Sequence, residues 1–307
     1  MQGLEEARRL YECYGVDMIE SRFSRYTGRI AAGLVGHGSE CYGFDDELSR
    51  DHDFPEGFCL WIDDETDQEI GVELSRAYRA LPFQKAIERS ALSENGRGVR
   101  RISDFYRRYT ACPGAPTDLM QWLSLPDHAL AEATNGAVFR DDQGLFSSIR
   151  ETLLHGMPED VRLKKLAARV ITMAQSGQYN YPRCVRHGEL GAAVLAMTEF
   201  VNAACGAIYL LNRRHMPYYK WRLRGMTGLE KLGNLREALE FLLTSENDEQ
   251  GRILKSAVIE DICATIVSEL RAQQLTHGSW DYLEPHAFEI AGHIESPVLR
   301  AMHIMEG

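Results

Sequence analysis

Gly36-His37-Gly38-Ser39-Glu40 follows the apolar run Ile30 to Val35, and Ser49-Arg50-Asp51-His52-Asp53-Phe54 comes shortly after it. A second apolar run, Phe58-Cys59-Leu60-Trp61-Ile62, closes the stretch. Short apolar runs bounded by glycine read as buried strands that lead into turns. If Asp51 and Asp53 lie on extended chain, the period of two puts both carboxylates on one face. Adjacent carboxylates repel unless a cation lies between them, so the pair reads as a hard-metal site. A Gly-Ser turn offers backbone N–H groups and a hydroxyl to phosphate oxygens. Together these features predict a site for a metal-bound nucleotide.

Working outward, Leu4 to about Ser24 carries apolar residues at helical spacing, and Cys41 to Arg50 is acidic and irregular, as in a loop. The second strand is expected over 53–62, interrupted near Pro55, which cannot donate to a ladder. Helical patterns follow over 64–81 and 82–93, then the turn Asn95-Gly96-Arg97-Gly98 and a third strand at 99–102. Ser103-Asp104 is placed to cap a helix starting at Phe105. A last short strand is expected at 136–139. Strand signals stop near Phe146. Helical spacing then dominates at 161–175, 190–212, 230–243 and 253–274, and the tail from Leu283 is weakly patterned and expected to pack loosely. The reading is α+β, with a small mixed sheet in residues 1–150 and an all-helical domain in 151–307.

Composition narrows the function classes. The seven cysteines form no CxxC pair, which argues against a disulfide framework or zinc knuckle and fits a reducing compartment. The net charge of −11 comes without any Lys/Arg block, so a long nucleic acid is disfavoured as a partner. The N-terminus shows no apolar signal region. Leu190 to Leu211, interrupted by Glu199 and Asn202, reads as a buried helix rather than a membrane span. A cytoplasmic protein is expected.

Gly38-Ser39 followed by Asp51-x-Asp53 between two strand-like runs resembles the signature of the nucleotidyltransferase superfamily that includes DNA polymerase beta. The resemblance implies that Asp51 and Asp53 hold Mg²⁺ or Mn²⁺, and that Gly38 and Ser39 hold the β and γ phosphates of a nucleoside triphosphate, with ATP expected. Residues 38–54, with Gly177 to Arg183 and Pro217 to Trp221, further resemble an uncharacterised bacterial family known only as a domain of unknown function within that superfamily. It implies a nucleotidyltransferase domain followed by a helical domain closing the cleft. The implied reaction moves a nucleoside monophosphate to an acceptor hydroxyl on a small molecule or protein.

That superfamily usually has a third acid on a later strand. Asp104 is the acid next to the Val99 to Ile102 run, with helix capping as an equal reading; Glu73 and Glu132 are the stand-ins. Lys220, after Pro217-Tyr218-Tyr219, is a candidate to reach the triphosphate, with a snorkelling core lysine as the alternative. Gln178, Tyr179 and Arg183 could line the same cleft. Asp45 to Glu47 reads as a solvated acidic loop able to pair with Arg50. Two other classes stay open: an inactive nucleotide- or partner-binding protein of this fold, and a metal phosphohydrolase using His52-Asp53.

Overall fold

The computed structural model describes residues 3–46, 56–86 and 97–307. The chain is α+β, mostly helical with a small mixed four-stranded sheet. It forms two compact units: residues up to 116 together with 128–156, and residues 117–127 together with 157–307.

The sheet belongs to the first unit. Its strands are β1 (Ala31–Leu34), β2 (Cys59–Ile62), β3 (Gly98–Arg101) and β4 (Ala137–Arg140), in the spatial order β3-β2-β1-β4. β1 is antiparallel to both β2 and β4, and β2 is parallel to β3. Of the strand expected over 53–62, the part at Cys59–Ile62 is present, and residues 53–55 lie outside the described residues. β1 reads Ala-Ala-Gly-Leu and β2 Cys-Leu-Trp-Ile, and every one of these residues is buried, as central strands covered on both faces require. β3 and β4 each end in arginine and are largely half-buried, which suits the edges. Gly33 permits close approach of β4: a Cβ there would lie 2.5 Å from the Ala137 carbonyl oxygen, where the β1–β4 register shifts.

Helices α1 (Gly3–Leu10) and α2 (Val16–Arg22) are joined by a π turn at Tyr11–Gly15. That turn sets the Tyr11 ring edge-on to Phe58 at 5.5 Å. Parallel β2 and β3 need a crossover, to which α3 (Asp64–Arg79) contributes. Asp63 caps it, its Oδ1 accepting the Thr66 N–H at 2.7 Å, and Ile70, Leu74 and Tyr78 face the core. Helices α4 (Ile102–Thr110), α5 (Leu119–Ser124), α6 (Asp127–Thr134) and α7 (Leu145–His155) follow. Trp61 of β2 stacks on Phe146 at 4.0 Å, with Phe105 and Tyr106 around the pair. One expectation needs correcting: α4 starts at Ile102 with Arg101 as N-cap, so Ser103 and Asp104 lie within its first turn. Ile102 fits a strand end and a helix start equally well, which is why the sequence pattern misplaced this border.

In the second unit the described elements are helical: α5, α8 (Glu159–Met173), a π turn (Ala174–Asn180), α9 (Tyr181–Arg186), α10 (Leu190–Leu211), α11 (Tyr219–Gly225), α12 (Arg236–Thr244), α13 (Glu249–Ala272), α14 (Leu283–Gly292) and α15 (Pro297–Ala301). α8 packs against both α10 and α14. α10 is long and apolar enough to cross a membrane, yet 67% of its most apolar window is buried in the protein. The helix expected from residue 230 begins at Arg236, because Leu232 adopts a left-handed conformation (φ +59°) that breaks the helix before it.

The tail from Leu283 does not pack loosely. Leu283, Ala287 and Ile290 recur at helical spacing and are fully buried, as are Ile294 and Leu299 beyond them. Lys164, itself buried in α8, donates to the carbonyls of Met302 (3.0 Å) and His303 (2.8 Å). The pattern was obscured by His286, a polar residue at a core position that is satisfied on both ring nitrogens.

Candidate functional site

The turn after β1 is built from glycines in conformations that other residues rarely adopt. Gly36 and Gly38 both have φ +124°. A Cβ on Gly36 would lie 2.9 Å from the Tyr109 hydroxyl, and one on Gly38 would collide with the Glu40 carboxylate. Gly38 is the N-cap of the 3₁₀ turn Ser39–Tyr42, so Ser39 stands where first-turn amides lack helical partners.

Long-range hydrogen bonds hold this turn. The Gly36 N–H donates to Asn135 Oδ1 (2.8 Å), and Asn135 Nδ2 donates back to the Gly36 carbonyl (2.7 Å). The Gly136 N–H donates to the Cys41 carbonyl at 2.8 Å. Glu40 is buried and pairs with Arg97 at 2.7 Å. Burial pushes the neighbouring Cys41 thiol well above its usual range, which favours the neutral thiol. His37, at the tip, is exposed, with Nδ1 3.5 Å from Glu132 Oε1. A hydrogen bond to Glu132 raises the His37 pKa, against an opposing effect of partial burial.

The sequence candidates fall as follows. Gly38 and Ser39 form the turn just described. Asp51, His52 and Asp53 lie outside the described residues. Asp104 is half-exposed, and both its oxygens are taken: Arg101 Nε donates to Oδ2 (2.7 Å) and Arg107 Nη1 to Oδ1 (2.8 Å). Of its stand-ins, Glu132 is beside the turn through His37, whereas Glu73 is on the exposed side of α3. Asp45 accepts the Gly3 N–H at 2.8 Å rather than standing free in a loop. Lys220, in the second unit, is exposed on α11 with its ammonium 5.6 Å from the Trp221 ring. Gln178 Oε1 accepts the Leu283 N–H (2.9 Å), and its Nε2 donates to the Asp281 carbonyl (3.0 Å) and to Glu260 (2.7 Å). Arg183 lies over the Tyr179 ring.

Among the described residues no three His, Cys, Asp or Glu side chains are grouped as a metal ion requires. With Asp104 engaged by two arginines, these residues do not by themselves make a magnesium site. Sequence reading missed Asn135, Arg97 and the Glu40 carboxylate. The available signals were the Asn135-Gly136 turn ahead of β4 and an acid directly after Gly38-Ser39.

Comparison with known proteins gives one family. A domain of unknown function (DUF4037) matches residues 122–222, about a third of the chain. The match includes Gly177 to Arg183 and Pro217 to Trp221 but not the turn at 36–40. No curated protein and no solved structure matches the chain.

Proposed function

We propose that the chain is a nucleotidyltransferase of the DNA polymerase beta-like type, with the N-terminal unit binding a nucleoside triphosphate and the helical unit completing the domain order of that superfamily. The observation that carries this reading is the turn at Gly36–Ser39. It places two glycines of positive φ and a serine-led 3₁₀ turn directly after the buried strand β1. Further support comes from the order of the described elements: helix, β1, glycine turn, antiparallel β2, then α3 before parallel β3, with the acidic pair between the glycine turn and β2 in sequence.

In this reading Gly38 and Ser39 bind phosphate oxygens through N–H groups and a hydroxyl. Asp51 and Asp53 are assigned to Mg²⁺ or Mn²⁺, which neutralises a triphosphate. The acceptor is a hydroxyl on a small molecule or protein. Incubation with each labelled NTP and Mg²⁺ tests the proposal by pyrophosphate release and label transfer. Loss of turnover in Asp51→Ala supports it; nucleotide binding without turnover, unchanged in that variant, overturns it.

A second reading, a nucleotide-binding protein of this fold without transfer activity, has a specific observation in its favour. β3 carries Arg100 and Arg101 and no acid, and the adjacent Asp104 is neutralised by Arg101 and Arg107. Saturable binding of NTP that depends on Gly38 but yields no pyrophosphate would select it.

A further inference from the structure

The second unit carries an open surface groove of about 560 Å³ lined by Trp280, Tyr282, Glu284, Pro285, Phe288 and Glu289. That volume is in the range of small-molecule sites. Trp280 and Phe288 leave 47% and 55% of their surface exposed, so both rings are open to a ligand from solvent. Three aromatic residues therefore line one space with two glutamates, and no Lys or Arg is in the lining. We propose that this groove binds a small organic cation, an ammonium carrying alkyl groups, held by the aromatic rings and balanced by Glu284 and Glu289.

The charge and the surfaces point the same way. Aromatic faces are negative and attract cations, most strongly when alkyl substituents weaken the cation's hydration. An apolar ligand would withdraw Glu284 and Glu289 from water with no positive charge to offset theirs, which is costly. Glu289 stays ionised: hydrogen bonds from the Thr276 hydroxyl and the N–H groups of His277 and Gly278 hold its carboxyl below the ordinary range. Arg271 is engaged by the Gly278 carbonyl, outside the lining. The net charge of −11 favours approach of a cation over that of an anion.

Hydrogen bonds tie the backbone of this wall into the fold. Buried His286 is 2.6 Å from the Thr276 hydroxyl and 2.9 Å from the Trp280 carbonyl, with its ring edge-on to the indole. Gly278 leaves room for the Trp280 ring, into which any Cβ would run. Gln178 bonds the backbone on either side of Tyr282. It does so from the π turn Ala174–Asn180, a widened helical turn of a kind often found at functional sites.

The test uses the full chain, with choline as the probe and 3,3-dimethylbutan-1-ol as its uncharged counterpart, read by tryptophan fluorescence and calorimetry. It needs no nucleotide and is independent of the transferase reading. The expected result is saturable choline binding, roughly tenfold tighter than that of the neutral alcohol. Trp280→Ala and the near-isosteric Glu284→Gln should each weaken choline binding roughly threefold or more, with circular dichroism unchanged. Equal binding of the alcohol, no saturation through the millimolar range, or unchanged affinity in a folded Glu284→Gln variant would overturn the proposal. If Trp280→Ala fails to fold, the choline–alcohol comparison on the native chain still decides.

Discussion

Glu40 Oε1 lies 2.7 Å from Arg97 Nη2, with the two side chains only 7% and 8% exposed, and the carboxylate folds back against Gly38. The pair ties the turn after β1 to the residue that enters β3. Removing either partner breaks a short, buried, charge-assisted hydrogen bond. Glu40→Leu is expected to cost about 3 kcal/mol or more, and the double variant with Arg97→Leu less than the sum of the two. Urea denaturation of the three variants measures this; additive losses would show that the pair is not coupled.

Glycine at 136 and at 144 poses a contrast. Both have positive φ, +61° and +69°. A Cβ at Gly136 would collide with the Leu34 carbonyl, whereas nothing lies within 4 Å at Gly144. Gly144→Ala is expected to cost about 1 kcal/mol of backbone strain, and Gly136→Ala several times that, because the β1–β4 junction must move. Thermal melts of the two variants test the difference.

His37 gives a pH-dependent signal at the turn. Its pKa is raised chiefly by the Glu132 hydrogen bond, with Glu40 reinforcing and Arg108 opposing. A raised folded-state pKa contributes stability fully below the unfolded value near 6.5. That contribution is lost as pH rises through the folded value. Exposure of the imidazole keeps it small. NMR titration should place the His37 midpoint above the ordinary histidine range, and Glu132→Gln should lower it.

Asp104 separates chemistry from folding. Its arginine partners are about half exposed, so Asp104→Asn is expected to change stability by no more than about 1 kcal/mol. A large drop in nucleotidyl transfer in this variant would therefore report a role in the site. Unchanged transfer would leave Asp104 as a surface ion-pair partner.

In the second unit, acid should be destabilising below pH 4. Burial alone would push the Asp127 carboxyl up, but Lys165 and Arg169 outweigh it and hold it below the usual range. Arg162 and Arg213 hold Glu159 at about 2. Depressed pKa values contribute stability above the unfolded values, and this is lost as pH falls through the folded ones. Asp127→Asn should flatten that acid limb in fluorescence-monitored unfolding.

What could be read from the sequence followed local pattern. β1 and β2 announced themselves as uninterrupted apolar runs, and α10 as a long apolar helix whose polar interruptions argued for burial in protein. The tail was misjudged because His286 and Lys164 are polar residues whose burial depends on specific partners, which periodicity cannot reveal. Within the turn, glycine marked the positions of unusual backbone. The residues that hold it, Asn135 and Arg97, each stand in a local turn, but nothing local ties those turns to this distant one.

The Gly36 amide finds its acceptor on Asn135, 99 residues later. The turn is therefore not fixed by its own neighbourhood alone. It is completed only when β4 docks beside β1, a contact whose loop closure is slow to form. Refolding should restore helical content first and the ordered turn last. Any ligand that depends on this turn would then recognise the finished sheet and ignore partly folded chains, making its binding a probe of completed folding.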